Sequence, residues 1–181
     1  MSNKRVIIIT GPSGSGKSEL EKNLVENGFG EKAVSTTTRP LRTGEVEGVH
    51  YHTVSKANFI NIVKSKGFVE HVQFNGNDYG IEKRYLPTYA VLVVEDNGKT
   101  QIEENCENVI SIGLSASPAV LKDRMLNARG DSEEDVIERI KNDSILEGMK
   151  KLSFDISINT DGFTLDEVSE LVKYELNRIM S

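Results

Sequence analysis

Residues Gly11-Pro12-Ser13-Gly14-Ser15-Gly16-Lys17-Ser18 hold the strongest chemical signal in the chain. Gly11, Gly16, Lys17 and Ser18 fit the pattern G-x-x-x-x-G-K-[ST] in full. The pattern has a mechanism. Glycines let successive backbone N–H groups turn inward and cradle an anion. A helix starting near Lys17 adds its positive end. The lysine can reach the β- and γ-phosphates, and the hydroxyl of Ser18 can hold Mg²⁺. These residues therefore point to a nucleoside triphosphate but do not name an acceptor. A second cluster follows in Ser35-Thr36-Thr37-Thr38-Arg39-Pro40-Leu41-Arg42. Two arginines three positions apart leave a hydroxyl-rich, extended segment, and guanidinium forks suit phosphate oxygens. Taken alone, they would by default be read as an exposed basic loop.

Such residues need a frame. The apolar run Val6-Ile7-Ile8-Ile9 leads directly into Gly11. Strands are expected over Arg5 to Thr10, Ala33 to Thr36, Phe68 to Phe74, Tyr89 to Glu95, Asn108 to Leu114 and Phe154 to Ile158. Runs such as Val91-Leu92-Val93-Val94 lack polar alternation, as strands covered on both faces do. Ser117-Pro118, Ser132 with Asp135, and Thr164 with Glu167 are helix starts. Strand–helix alternation predicts a parallel α/β sheet. The stretch from about 33 to 86 breaks that rhythm with closely spaced strands and little helix, and is expected to form an inserted lobe.

The chain has 181 residues, 37% hydrophobic and 28% charged, with a formal net charge of −6. An acidic balance argues against a general nucleic-acid binder. One cysteine, Cys106, excludes an internal disulfide and a cysteine zinc cluster. His50, His52 and His71 have no metal-ligand spacing. The apolar runs are too short to cross a bilayer. A cytoplasmic location, without nucleic-acid or membrane partners, is the expectation.

"STTTRPLRTGEVEGVHYHTVSKANF" and "GFVEHVQFNGNDYG" resemble the substrate-binding segments of guanylate kinases, and "LKDRMLNARGDSEEDVIERI" resembles their lid. With the phosphate loop, the similarity covers nearly the whole chain in the right order. It implies a P-loop NTPase-type parallel sheet flanked by helices, with an inserted nucleoside-monophosphate-binding lobe and a helical lid. The core would be about 1–32, 87–122 and 150–181, the lobe about 33–86 and the lid about 123–149. The implied reaction moves the γ-phosphoryl of ATP, with Mg²⁺, to GMP or dGMP in a monomer or homodimer.

The resemblance assigns ATP to Gly11, Pro12, Ser13, Gly14, Ser15, Gly16, Lys17 and Ser18, with Asn159 on the adenine side, although an asparagine in a turn before Gly162 would look the same. It assigns the GMP phosphate to Arg39, Arg42, Tyr51 and Tyr79, and the base to Ser35 and Glu70, with Glu95 nearby. Lys17, Arg39, Arg129 and Arg139 would stabilise the transferring group, whereas Arg124 is expected in surface ion pairs with Glu133, Glu134 or Glu138. A carboxylate such as Glu70 can accept from guanine N1–H and the 2-amino group together, a donor pair that adenine lacks. Three features depart from the family pattern. Val93 replaces an aspartate, Ile81 replaces a serine or threonine, and the segment between Gly80 and Tyr89 is short. They keep two alternatives open: a related kinase acting on another (deoxy)nucleoside monophosphate or a ribose bisphosphate, and a non-catalytic interaction domain. Scaffold domains of this kind typically lose the phosphate loop, which is intact here.

Overall fold

A computed structural model describes residues 4–128, 132–134, 136 and 153–181. Strand β1 (Arg5–Thr10) lies at the centre of a five-stranded parallel sheet. Its neighbours are β7 (Tyr89–Val93) and β8 (Asn108–Ser115), with β2 (Glu31–Lys32) and β9 (Ile156–Asn159) at the edges, in the order β2-β7-β1-β8-β9. The unbroken apolar run of β1 follows from this position, because both of its faces are covered. Ile7 and Ile9 pack with Leu20 and Leu24 of α1 (Lys17–Glu26) and with Val168, Val172 and Leu176 of α5 (Leu165–Met180). Val6 and Ile8 face the other way, against Ile102 of α3 (Asp96–Asn105), Ala90 and Leu92. The chain leaves β1 towards β2 on one side, and later crosses from β7 to β8 on the other. The sheet therefore reverses its direction of growth around the end of β1, where open α/β sheets bind ligands.

The residues between β2 and β7 form a second sheet in the order β4-β3-β6-β5, from β3 (Ser35–Thr37), β4 (Tyr51–Thr53), β5 (Phe68–Phe74) and β6 (Asn77–Glu82). The expected strand from Ala33 to Thr36 holds only from Ser35 onwards, because Ala33 and Val34 form the connection between β2 and β3. β2 joins the core sheet, and the chain then crosses to β3 of the lobe. The lobe also holds more helix than expected. Ser55 caps α2 (Lys56–Lys64) by accepting from the Asn58 N–H, and Phe59 anchors the helix against Phe68, with ring centroids 4.5 Å apart. One buried aromatic and a single cap hold this helix, a weak pattern to find by periodicity.

The other helix starts behave as their residues require. Ser117 caps α4 (Pro118–Asp123), with proline in its first turn. Thr164 and Glu167 form a complete capping box on α5. The Val136 N–H donates to the Ser132 carbonyl (3.0 Å), while Asp135 lies outside the described residues. Helix α4 continues into a π-helical turn, Arg124–Ala128. Arg129 and Arg139 lie outside the described residues. Among those described, no helix is long and apolar enough to cross a membrane.

Candidate active site

The loop from Gly11 to Gly16 joins the C-terminal end of β1 to the N-terminus of α1. Two of its glycines have backbone angles that side chains avoid: φ is +82° at Gly14 and +95° at Gly16. Gly11 is required for a different reason. A Cβ there would stand 2.5 Å from the Leu114 carbonyl oxygen of β8. Lys17 Nζ folds back over the loop and donates to the carbonyls of Gly11 (2.5 Å) and Pro12 (2.9 Å). The Ser15 hydroxyl is buried within the loop without a hydrogen-bond partner among the described residues. The sequence expectation for this segment thus becomes a geometry: a turned-in backbone, an ammonium held across it and a helix N-terminus behind it.

A cleft of about 550 Å³ opens beside the loop. Ser18 lines it from the core, and Ser35, Glu45 and Tyr51 line it from the lobe. The threonine run of β3 explains how the lobe presents its arginine. The Thr37 hydroxyl donates to the Asp78 carbonyl (3.0 Å), and the Asp78 N–H donates to Thr38 Oγ1 (2.9 Å). These bonds carry the β3–β6 pairing to its last residue and deliver Arg39 beside Tyr79. The Arg39 guanidinium lies 5.2 Å from the Tyr51 ring centre, and the Tyr51 and Tyr79 rings meet edge-on at 6.2 Å. Arg39 Nη2 donates to both oxygens of Glu45 (2.8 and 2.9 Å). Bonds to Glu45 and Tyr79 hold the guanidinium pKa above its ordinary value, while the Glu45 carboxyl is held below its own, chiefly by Arg39. The Arg42 N–H also donates to Glu45 (2.7 Å), so one carboxylate organises the whole turn. Arg42 itself is exposed. Sequence reasoning missed Glu45, although its place three residues after Arg42 is the spacing of such a turn.

Glu70 sits on β5 opposite Ile81 of β6. A register shift between Phe68 and Glu70 marks a bulge, a device that re-aims a side chain. The carboxyl points to the first turn of α3, where a Cβ built on Gly98 would lie 3.5 Å from Glu70 Oε2. Burial pushes its pKa up to about 7. Ile81 and Val93, the two departures, both line the cleft, and Val93 pairs with Ile9 just before the phosphate loop. Glu95 occupies the cap position before α3.

Asn159 and Arg124 both make local bonds, and only the expectation for Arg124 changes. Asn159 Oδ1 accepts from the Asp161 N–H (2.8 Å), so its carboxamide closes a local turn. Arg124 makes no surface ion pair with Glu133 or Glu134. It donates instead to Thr160 Oγ1 (2.8 Å) and the Thr160 carbonyl (2.9 Å), while Lys122 takes Glu133 (3.2 Å). Thr160 is buried at the end of β9, and its two acceptors outcompete an exposed carboxylate. Glu138 lies outside the described residues. Among the described residues, no three His, Cys, Asp or Glu side chains converge as a metal cage.

Comparison with known proteins gives a consistent result. The chain is 35% identical over 170 residues to a guanylate kinase of Mesoplasma florum, covering 89% of this chain but only 57% of that protein's length. It is 32% identical over 182 residues to a guanylate kinase of Rickettsia felis, covering 94% of this chain and 93% of the relative. A solved guanylate kinase structure from Anaplasma phagocytophilum superposes with a TM-score of 0.63 over 98% of this chain and 87% of its own, at 23% identity. A gluconokinase structure from Sinorhizobium meliloti gives 0.53 at 15% identity, covering 99% and 95%, a likeness of fold alone. The sequence family model described as Guanylate kinase matches residues 3–177, which takes in the phosphate loop, the whole lobe and the closing helix, and the chain belongs to that family.

Proposed function

We propose that this protein transfers the γ-phosphoryl group of ATP to the phosphate of GMP or dGMP, giving ADP and GDP or dGDP. The observation that carries this reading is the shared cleft. Ser18 of the phosphate loop and Ser35 and Tyr51 of the lobe line one cavity, which supports a site where donor and acceptor phosphates would meet. The acceptor oxygen is already anionic near neutral pH, so the site needs no strong general base. It needs in-line positioning and compensation of negative charge.

Lys17 would supply that charge to the β- and γ-phosphates after leaving its carbonyl partners. The backbone N–H groups of Gly11–Ser18 would cradle the donor, with Asn159 near the adenine. Arg39, Arg42, Tyr51 and Tyr79 would hold the acceptor phosphate, and Glu70, Ser35 and Glu95 would face the base. Arg129 and Arg139 would add charge from the lid. The Ser18 hydroxyl, at the cleft beside the phosphate loop, suits Mg²⁺, which is commonly held by few protein groups together with substrate phosphates. Such an ion would offset charge on the β- and γ-phosphates.

With [γ-³²P]ATP and GMP, label should appear in GDP and little in inorganic phosphate. Label released mainly as inorganic phosphate would indicate a hydrolase. A second reading, in which IMP or another monophosphate is the better acceptor, is favoured by Ile81 and Val93 on the cleft wall, because neither offers the base a polar partner.

A further inference from the structure

The lobe sheet ends in an edge strand. β5 has β6 on one side only, so the backbone groups on its other side need partners. They find them on α3, which belongs to the core. Gln101 Oε1 accepts from the His71 N–H (3.0 Å), and Gln101 Nε2 donates to the His71 carbonyl (3.1 Å). The side-chain amide thus supplies the two bonds that a neighbouring strand would. One helical turn later, Asn105 Nδ2 donates to the Val69 carbonyl (3.2 Å). The orientation of that amide is fixed from behind, because Lys83 Nζ donates to its Oδ1 (2.9 Å). The residue between Val69 and His71 is Glu70. Its two chain neighbours are bonded to α3, its strand is bulged at that point, and its carboxyl faces the first turn of the same helix beside Gly98.

We propose that Gln101 and Asn105 are positioning residues for base recognition. Their amides tie the edge of β5 to α3 and so fix where the Glu70 carboxylate stands in the acceptor site. This inference rests on the reading of Glu70 as the group that accepts from guanine. It adds a specificity role for two residues that, like Glu70, stand behind the cleft wall formed by Ile81 and Val93 and are not part of its lining. It also places the lobe and the first turn of α3 in one unit, because the helix that ends at the clamp begins beside the base.

The test compares GMP with IMP, which keeps N1–H but lacks the 2-amino group, in the wild type, Gln101→Leu, Glu70→Gln and the double variant. Gln101→Leu removes two hydrogen bonds and should lower kcat/KM for GMP roughly tenfold. The loss should fall mainly on the KM for GMP, while the KM for ATP stays unchanged. The GMP/IMP ratio of kcat/KM should drop. In the double variant that ratio should equal the ratio of Glu70→Gln alone, because one residue acts through the other. A ratio unmoved by Gln101→Leu, or losses that add in the double variant, would overturn the clamp while leaving Glu70 in its role. A ratio unmoved by Glu70→Gln would overturn the base reading itself, and the clamp with it. One further measurement needs no variant: the His71 amide of the wild type should exchange its hydrogen slowly, and exchange at the rate of an unstructured chain would refute the bond to Gln101.

Discussion

Among individual residues, Lys17 has the least redundant role. Among the described residues it is the one cation within the phosphate loop, and losing one such electrostatic contact would cost ~3–4 kcal/mol, or roughly a hundred- to a thousandfold in rate. Lys17→Ala should therefore show that loss in kcat with its circular dichroism unchanged; turnover within a few fold of wild type would remove Lys17 from the mechanism. The acceptor arginines should behave differently. Arg39 is held by Glu45 and stacked on Tyr51, whereas Arg42 is exposed and bonds Glu45 through its backbone. Arg39→Ala and Arg42→Ala should each raise the KM for GMP far more than the KM for ATP, and equal changes in both would contradict the assignment. The Glu70 carboxyl, raised to about 7 by burial, sets a pH dependence. Guanine donors need the ionised form, so kcat/KM for GMP should rise as pH increases through about 7. That rise should be absent in Glu70→Gln. The sign for stability is opposite. A carboxyl whose folded pKa lies above its unfolded value costs stability increasingly as pH rises between the two, and fully above the folded one. Glu70→Gln should therefore raise Tm above pH 7 relative to wild type, and this gain should shrink towards pH 4.

Among the elements, the closing helix offers a clean check. Thr164 accepts from the Glu167 N–H, while Glu167 accepts from the Thr164 N–H (2.8 Å). Thr164→Ala should cost about 1 kcal/mol in urea unfolding, the usual worth of such a cap, and an unchanged midpoint would show that the box carries no weight. This box was legible in the sequence because its residue types and spacing state the geometry. The same holds for the phosphate loop and for β1, whose apolar run has one physical explanation. Other elements were not legible. That Ala33 and Val34 cross between two sheets instead of opening a strand depends on which sheet each flanking strand joins, a tertiary fact. Helix α2 carries one buried aromatic, β4 is three residues long, and β6 has a single aliphatic residue, Ile81, in its sequence NDYGIE. The turn that bonds Arg39 to Glu45, and the partner of Arg124, needed coordinates because each is a choice among several available acceptors. The residues of the lobe proposed for the acceptor phosphate were readable by type. Their mutual arrangement, with Arg39 beside both Tyr51 and Tyr79, was not.

The molecule as a whole joins a phosphate loop at the centre of a parallel sheet to a second, four-stranded sheet, where the proposed acceptor residues stand. The net charge of −6 does not oppose two anionic substrates, because the site concentrates Lys17, Arg39 and Arg42 where the phosphates would lie. The helix α3 links the two halves, with its first turn beside Glu70 and its later turns on the edge of β5. This arrangement makes one claim above the others: phosphoryl transfer goes to a guanine nucleotide. The most direct test is coupled ADP release by the wild-type protein with ATP and Mg²⁺, measured as kcat/KM for GMP, dGMP, IMP, AMP and dTMP. GMP and dGMP should lead, IMP should follow, and AMP and dTMP should fall well behind, because each presents the Glu70 carboxylate with fewer donors and leaves it buried and unpaired. A preference for AMP or dTMP over GMP, or ADP release that does not depend on any acceptor, would contradict the account.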